Sequence, residues 1–147
     1  MKTIKKTILL LFILVSTASA QFELNTSVGY GVEFKKNSDL NLFQSSVNVD
    51  LLYRVDKFEV ISETINMYSD SSNSFYSGIK FGYGFWNQKN KSLSVSVHGL
   101  IGTEGKKILG LGLNYYVDNL QLSYDLSQEY KSKSLIGILS VGYTLKL

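Results

Sequence analysis

The chain has 147 residues, no cysteine and no proline, and a formal net charge of +3. Three lysines within residues 1–20, where there is no acid, account for that excess, so residues 21–147 contain twelve basic and twelve acidic residues. The length fits one domain, and the lack of cysteine excludes a disulfide-stabilised scaffold. The balanced charge does not indicate a nucleic-acid partner, and we expect none.

Residues 1–20 have the three parts of a secretory signal peptide. Lysines lie near the N-terminus, residues 8–15 read ILLLFILV, and Ala18 and Ala20 form an A-x-A cleavage motif. The apolar run is too short for a membrane-spanning helix, which needs about 20 residues. We therefore expect residues 1–20 to be removed on export, leaving 21–147 as the mature domain. No cysteine follows the cleavage motif, so no lipoprotein anchor is expected.

Residues 21–147 alternate apolar and polar side chains almost throughout. From Phe22 to Phe34 the even positions are apolar, apart from Thr26, and the odd positions are Glu, Asn, Ser or Gly. The alternation recurs seven more times, and in the fourth segment it places Trp86 on the polar face. Alternation with period two predicts half-buried strands. We predict an all-β fold of eight antiparallel strands closed into an up-and-down barrel.

The breaks between these segments are short and polar. We expect tight connections near Asp56 and at residues 118–119, and a longer one at residues 87–91, all on the side of both chain ends. The connections on the opposite side are also short. They lie at residues 35–39, 69–74, 103–107 and 130–134.

The third predicted strand departs from the alternation. Phe58 and Val60 share one phase, whereas Ile61, Ile65 and Met67 have the other. A β-bulge inserts one extra residue and so changes the phase of a strand. We therefore expect a bulge near Val60–Ile61 that turns all of these apolar side chains to one face.

Two kinds of barrel fit this pattern. In a soluble lipocalin-like barrel the apolar face lines a ligand cavity, whereas in a transmembrane barrel it meets lipid. The polar face favours the second, because its many Gly, Ser, Asn and Gln residues suit the narrow lumen of eight strands. The aromatic residues of the apolar face also form two levels, as in interfacial girdles. These levels contain Phe22, Tyr53, Phe58, Phe85, Tyr115 and Tyr143, and Phe34, Phe43, Phe75 and Tyr130.

The C-terminal segment carries the most specific motif. The last eight residues read SVGYTLKL. Together with the strand pattern, they resemble the small eight-stranded outer-membrane β-barrel proteins of Gram-negative bacteria, although the family usually ends in Phe. The matching residues are Gly142, Tyr143, Leu145 and Leu147. The resemblance implies a monomer in the cell outer membrane, whose partners during biogenesis are periplasmic chaperones and the barrel-assembly machinery, which recognises this strand by pairing.

Charged side chains on the polar face should meet inside the barrel. Enclosed charges must pair or be hydrated, so we expect a lumen plug of ion pairs and hydrogen bonds, with an ion or proton path as the alternative. The candidate members are Glu23, Glu33, Asp50, Arg54, Lys80, His98, Asp125, Glu129 and Lys146.

His98 is the only histidine and the main candidate for catalysis. It shares the polar face with Ser94 and Ser96, so a lipid-modifying barrel enzyme with His98 as general base is one alternative. The local sequence VSVHGLIG lacks the His-x-Ser pattern associated with outer-membrane lipid A deacylases. A structural lumen histidine is favoured. The sequence shows no metal-ligand spacing and no Gly-x-Ser-x-Gly motif, so we expect no catalytic residue, cofactor or metal.

Lysines in the connections away from the chain ends suggest contact with anionic lipid. They could bind lipopolysaccharide phosphates, and the alternative is that they are simply solvated. They are Lys35, Lys36, Lys106, Lys107, Lys131 and Lys133. The function that we expect is a non-enzymatic outer-membrane barrel with a structural or envelope-stabilising role and no wide pore. A soluble lipocalin-like carrier of small ligands is the second hypothesis, and the His98 enzyme is the third.

Overall fold

The computed structural model describes residues 21–34, 40–68 and 73–147, without the side chains of residues 40–44. The expected signal peptide lies outside these residues. Each of the eight strands pairs antiparallel with its neighbours in sequence, and β8 pairs with β1 to close the barrel. The strands are β1 (Gln21–Phe34), β2 (Leu40–Val55), β3 (Phe58–Tyr68), β4 (Asn73–Gln88), β5 (Lys91–Gly102), β6 (Lys107–Val117), β7 (Leu120–Glu129) and β8 (Leu135–Lys146). Among the described residues, no helix is long and apolar enough to span a membrane.

One end of the barrel, called the turn end here, holds residues 21 and 147 and three two-residue turns at 56–57, 89–90 and 118–119. The longer connection expected at 87–91 is wrong, because β4 and β5 continue their ladder until only Lys89 and Asn90 remain unpaired. Backbone bonds also tie each turn to its neighbour around the barrel, which is a strand residue for two turns and the turn residue Asp118 for the other. The acceptors are the carbonyls of Lys57, Asn90 and Asn119, each 2.7 Å from an amide nitrogen.

The opposite end, called the loop end here, carries the other four connections. Two of them, residues 35–39 and 69–72, lie outside the described residues. The third contains a 3-10 helix at Thr103–Gly105, and the fourth comprises residues 130–134.

The apolar face of the strands points outward. Val28 and Leu111, near the middle of β1 and β6, are 63% and 62% exposed, and similar side chains surround the barrel. The inward positions of the same strands bury polar groups such as Asn25 and Asn114. The predicted fold class and the predicted direction of the apolar face are therefore confirmed.

Strand β3 carries both apolar and polar side chains on each of its faces. It pairs with β2 and β4 without a register shift from Phe58 to Tyr68, so the bulge expected near Val60–Ile61 is wrong. Ile61, Ile65 and Met67 point inward and are buried, whereas polar side chains of the same strand point outward. The regular ladder leaves no residue unpaired, and the inward apolar groups gain packing partners in the lumen. The outward polar residues are Ser62, Thr64 and Asn66.

Register shifts occur in two other places. One separates Gly29 from Gly31 in the β1–β2 pair, and the other separates Gly84 from Trp86 in the β4–β5 pair. The second shift turns Trp86 outward, against the alternation, and stacks it on Tyr115 with ring centroids 6.5 Å apart.

Aromatic rings gather on the outer face at the turn end. Phe22 contacts Tyr53 with centroids 4.8 Å apart, and Phe58 contacts Tyr83 at 5.5 Å. Such clustering suits a membrane interface, where amphipathic rings have one apolar and one wet side. At the loop end, the exposed rings include Phe34, Phe75 and Tyr130. The side chain of Phe43, expected at that level, lies outside the described residues.

Candidate functional site

The lumen is divided into an apolar half and a charged half. Toward the loop end, buried apolar side chains from five strands form one cluster, called the apolar plug here. Toward the loop end, the strands β3, β4, β5, β6 and β8 each point apolar side chains into the lumen. The expectation of a polar lumen therefore holds only toward the turn end. The plug consists of Ile65, Met67, Tyr76, Leu100, Ile108, Ile136 and Ile138.

Arg54 organises the charges nearest the turn end. Its Nη1 lies 3.3 Å from Glu23 Oε1, and its Nη2 lies 2.9 Å from Glu59 Oε1. The guanidinium carbon also lies 5.1 Å from the centroid of the Tyr116 ring, a cation–π contact. Ser94 Oγ donates to the second oxygen of Glu59 at 3.0 Å. All three guanidinium nitrogens of Arg54 bond to the two carboxylates, which makes this group a structural network.

Lys80 organises a second group of charges deeper in the barrel. Its Nζ lies 3.0 Å from Glu63 Oε1 and 2.9 Å from Asp125 Oδ1. All three residues are buried. A buried ammonium between two carboxylates satisfies the need for pairing that a low dielectric imposes.

His98 lies beside this second group. Its Nε2 is 2.7 Å from Ser127 Oγ, whereas its Nδ1 is 3.6 Å from Asp125 Oδ1 and 3.9 Å from Glu63 Oε2. The last two distances exceed those of hydrogen bonds. One ligand atom each from Glu63, His98 and Asp125 lies within 4.8 Å of the others, a grouping able to hold a metal ion. The three residues come from different strands, so the sequence offers no local spacing from which this grouping could be predicted, and the absence of a metal stays a prediction.

The serines expected near His98 have other partners. Ser94 bonds to Glu59, and Ser96 Oγ accepts a bond from Asn114 at 3.3 Å. His98 instead lies between Ser127 and Asp125, an arrangement in which Ser127 would be the nucleophile, His98 the base and Asp125 the orienting acid. All three side chains are buried, and the distance from His98 to the carboxylate is too long for a hydrogen bond. A catalytic nucleophile must reach its substrate, so this geometry gives no support to the enzyme hypothesis.

The remaining residues of the expected network lie at different levels. Asp50 is buried, accepts a bond from Asn25 Nδ2 at 3.1 Å and is the cross-strand neighbour of Glu63. Glu33 is half-buried and Glu129 is buried, both near the loop end. Lys146 is exposed and lines the turn-end mouth. The structure thus forms two charged groups rather than one network. Two further carboxylates, Glu59 and Glu63, belong to these groups and were not expected. In a β3 strand without a bulge, simple alternation places both on the same inward face as Ile61.

A cavity opens at each end of the barrel. The turn-end cavity, about 470 Å³, is lined by residues of both signs, including Lys57, Asp118 and Lys146. The loop-end cavity, about 480 Å³, contains three lysines and an aromatic ring, and Lys133 Nζ lies 4.4 Å from the centroid of Tyr130. Its lining residues are Gly105, Lys107, Tyr130, Lys131 and Lys133.

Three of the six lysines expected to contact lipid therefore meet in one cavity. Lys106 is half-buried next to the 3-10 helix and is not part of the cavity lining. Lys35 and Lys36 lie outside the described residues.

The expected assembly segment forms the end of β8. Gly142 points inward, where a Cβ would lie 2.7 Å from Ser27 Cβ, and Tyr143 and Leu145 are exposed on the outer face. The amide of Leu147 donates to the carbonyl of Phe22 at 2.9 Å. In the closed barrel this strand is thus paired on both sides.

No protein-family profile matches the sequence, and no curated protein matches it significantly. Solved structures do match. Neisserial surface protein A has a TM-score of 0.70 at 13% identity, over 88% of this chain and 99% of that chain. Ail, the attachment invasion locus protein of Yersinia pestis, has a TM-score of 0.60 at 13% identity, over 86% and 99%. The N-terminal β-barrel domain of Pseudomonas aeruginosa OprF has a TM-score of 0.57 at 15% identity, over 86% and 100%.

A second structure of Ail, in complex with the heparin analogue sucrose octasulfate, matches with a TM-score of 0.54 at 12% identity, over 86% of this chain and 99% of that chain. At such identities the likeness concerns the fold. The chain therefore has the fold of small eight-stranded outer-membrane barrels, as the resemblance of its sequence implied.

Proposed function

We propose that this chain is an integral β-barrel protein of the cell outer membrane, exported by means of the signal peptide in residues 1–20. The observation that carries the proposal is the apolar outer face around a buried polar interior. Removing one Leu or Val side chain from water is worth about 1.5–3 kcal/mol, and such residues surround the barrel on its outer face. A face of this kind is stable in lipid and would cause aggregation in water.

The proposed role is structural and non-enzymatic, with no wide pore. Ion pairs and the apolar plug occupy the middle of the lumen, and the two cavities described above lie at its mouths. The same arrangement argues against a soluble lipocalin-like carrier, which needs its apolar side chains to line a ligand cavity.

At the loop end, the proposed partner is anionic lipid, specifically the phosphates of lipopolysaccharide. Lys107, Lys131 and Lys133 supply three positive charges around one cavity, and none of its lining residues in the described part of the chain is acidic. The complex of Ail with an octasulfate lends support, because it places a polyanion on a barrel of the same fold. Lysine binds phosphate through charge and rotatable N–H donors.

During biogenesis, the proposed partners are periplasmic chaperones and the barrel-assembly machinery. The segment proposed for recognition contains Gly142, Tyr143, Leu145 and Leu147, and its alternating pattern suits recognition by strand pairing. Once β8 is paired with both β7 and β1, no strand edge remains for another chain. We therefore propose a monomer.

Fractionation tests the proposed location. We expect the full-length chain, expressed in a Gram-negative cell, to be recovered without residues 1–20 in the outer-membrane fraction. Its migration on gels should differ between unboiled and boiled samples, because a closed barrel resists detergent unfolding. An inner-membrane lipoprotein and a soluble periplasmic protein serve as fractionation controls. Recovery in the soluble periplasmic fraction would overturn the proposal.

A further inference from the structure

We propose that Glu63, His98 and Asp125 form a site for one divalent transition-metal ion of the Zn²⁺ class inside the lumen. The three side chains project inward from β3, β5 and β7, and the residues are 1%, 4% and 3% exposed. The proposal concerns the interior of the folded barrel, so it stands independently of the membrane in which the barrel sits.

The spacing of the ligand atoms fits a metal better than it fits hydrogen bonds. Nδ1 of His98 lies 3.6 Å from Asp125 Oδ1 and 3.9 Å from Glu63 Oε2. Zinc bonds of about 2.1 Å in a tetrahedron place neighbouring ligand atoms about 3.4 Å apart. The third pair of ligand atoms, on Glu63 and Asp125, lies within 4.8 Å. The side chains would therefore need to move closer together to complete three corners of the coordination sphere.

Two of the three ligand atoms have no hydrogen-bond partner among the described residues. They are Glu63 Oε2 and His98 Nδ1, both fully shielded from solvent. When His98 donates Nε2–H to Ser127 Oγ, its Nδ1 presents a lone pair to the two carboxylates. A metal-binding histidine is commonly held in this way, with its second ring nitrogen bonded to a neighbouring group that fixes the tautomer.

The charges around the site would also favour a bound cation. Asp50 is the direct cross-strand neighbour of Glu63, and Asp125 joins them through Lys80. Lys80 is the one ammonium among these three carboxylates in the described lumen, which leaves two negative charges if all are ionised. Uncompensated charges are costly in a barrel interior. One divalent ion supplies the missing charge.

Strand β6 leaves room for the ligands. A Cβ on Gly110 would collide with His98 Nε2 and Ser127 Oγ, and a Cβ on Gly112 would collide with Asp125 Oδ1. The side chains of His98 and Asp125 thus lie directly against the backbone of these two glycines, which restricts their movement. Such support from neighbouring groups is what holds a binding site in its productive geometry.

The donor set selects the class of metal. One imidazole and two carboxylates suit zinc and its first-row neighbours. Calcium takes 6–8 oxygen ligands and magnesium favours an octahedral shell, and three mixed donors provide neither. The fourth zinc position would hold a water molecule, because so buried a site has room for only one small additional ligand.

Zinc content of the refolded chain tests this inference. The mature chain is refolded in detergent with zinc chloride or magnesium chloride, passed through metal-free buffer and analysed for metal. We expect about one zinc ion per folded chain and no retained magnesium. Glu63→Gln and His98→Ala should each lose most of the zinc. Glu129→Gln should keep it, because Glu129 is a buried carboxylate on the same face of β7 as Asp125 but outside the site.

Folding is checked in each sample by its migration on unboiled gels. If a ligand variant does not fold, the unfolding midpoint of the native chain decides, since an ion that binds only the folded state raises this midpoint as its free concentration rises above Kd. A higher midpoint with zinc than with magnesium supports the site. A folded native chain with no zinc and no midpoint shift, or folded Glu63→Gln with a full equivalent of zinc, would overturn the proposal.

Discussion

Two glycines on β6 determine which side chains can meet in the lumen. Gly110 and Gly112 face inward, and the space that a Cβ would fill is taken by polar atoms of His98, Ser127 and Asp125. The contact between His98 and Ser127 therefore crosses β6 and requires that strand to be bare at Gly110. A single missing methyl group thus sets the geometry of the His98 side chain.

Replacing this glycine should destabilise the barrel. We expect Gly110→Ala to lower the free energy of unfolding by about 1–3 kcal/mol, the usual cost of overpacking an interior. Gly99→Ala is the matched control, because a Cβ there points outward and meets only Leu109 Cδ2 at 3.4 Å. Its effect should stay within about 0.5 kcal/mol. Urea unfolding in detergent micelles measures both, and equal effects at the two positions would contradict the argument.

At this scale, the sequence predicts the direction of a side chain better than its partner. Alternation places Lys80, His98 and Asp125 on the inward face, where the structure has them. The contact between Lys80 and Asp125 joins residues 45 apart in sequence, across the lumen. Such a contact depends on the strand stagger of the closed barrel, and no local pattern encodes it.

Strand β3 shows how an element can change its polarity along its length without losing its place in the sheet. Its inward face carries apolar residues near the plug, and its outward face carries Ser62, Thr64 and Asn66. A bulge would be required only if every apolar residue of β3 faced outward. The bulges that exist lie beside Gly29 and Gly84. Tertiary packing inside the lumen, rather than local propensity, decides the phase of β3.

Single cysteines test the orientation of this strand. The chain has no cysteine of its own, so Thr64→Cys and Ile65→Cys each provide one site for a fluorescent label. In vesicles of brominated lipid, we expect the label at Thr64→Cys to be strongly quenched, because this position faces outward. Label at Ile65→Cys should either react poorly or escape quenching, because that position is buried in the lumen. The reverse result would restore the bulge near Val60–Ile61.

The whole molecule has two unlike ends. The turn end has two-residue turns and charges of both signs. The loop-end cavity carries lysines, and residues 21–34, 40–68 and 73–147 contribute no acid to its lining. The barrel itself is readily predicted from the sequence, because closure of eight alternating strands is the arrangement that leaves no edge in lipid. The lysine cavity was only partly predictable, since residues 105–107 and 130–133 meet through the β6–β7 pairing.

Lipopolysaccharide binding should follow this difference between the ends. We expect the double substitution Lys131→Ala with Lys133→Ala to weaken binding of the purified barrel to lipopolysaccharide by about thirtyfold, at roughly 1 kcal/mol per lost charge near an anionic surface. Lys57→Ala with Lys89→Ala removes two lysines from the turn end and should leave binding unchanged. Flotation with vesicles containing lipopolysaccharide measures both. Equal losses in the two double variants would show a general effect of charge.

The apolar plug bears on how many copies a cell can tolerate. Hydrated ions and polar nutrients cannot cross a lumen section packed with Ile, Leu and Met side chains without losing their water. Each barrel therefore adds stiff, lipid-contacting surface to a membrane and leaves its permeability to solutes unchanged. A cell could raise the abundance of such a protein severalfold without becoming more sensitive to detergents or antibiotics that enter through open channels.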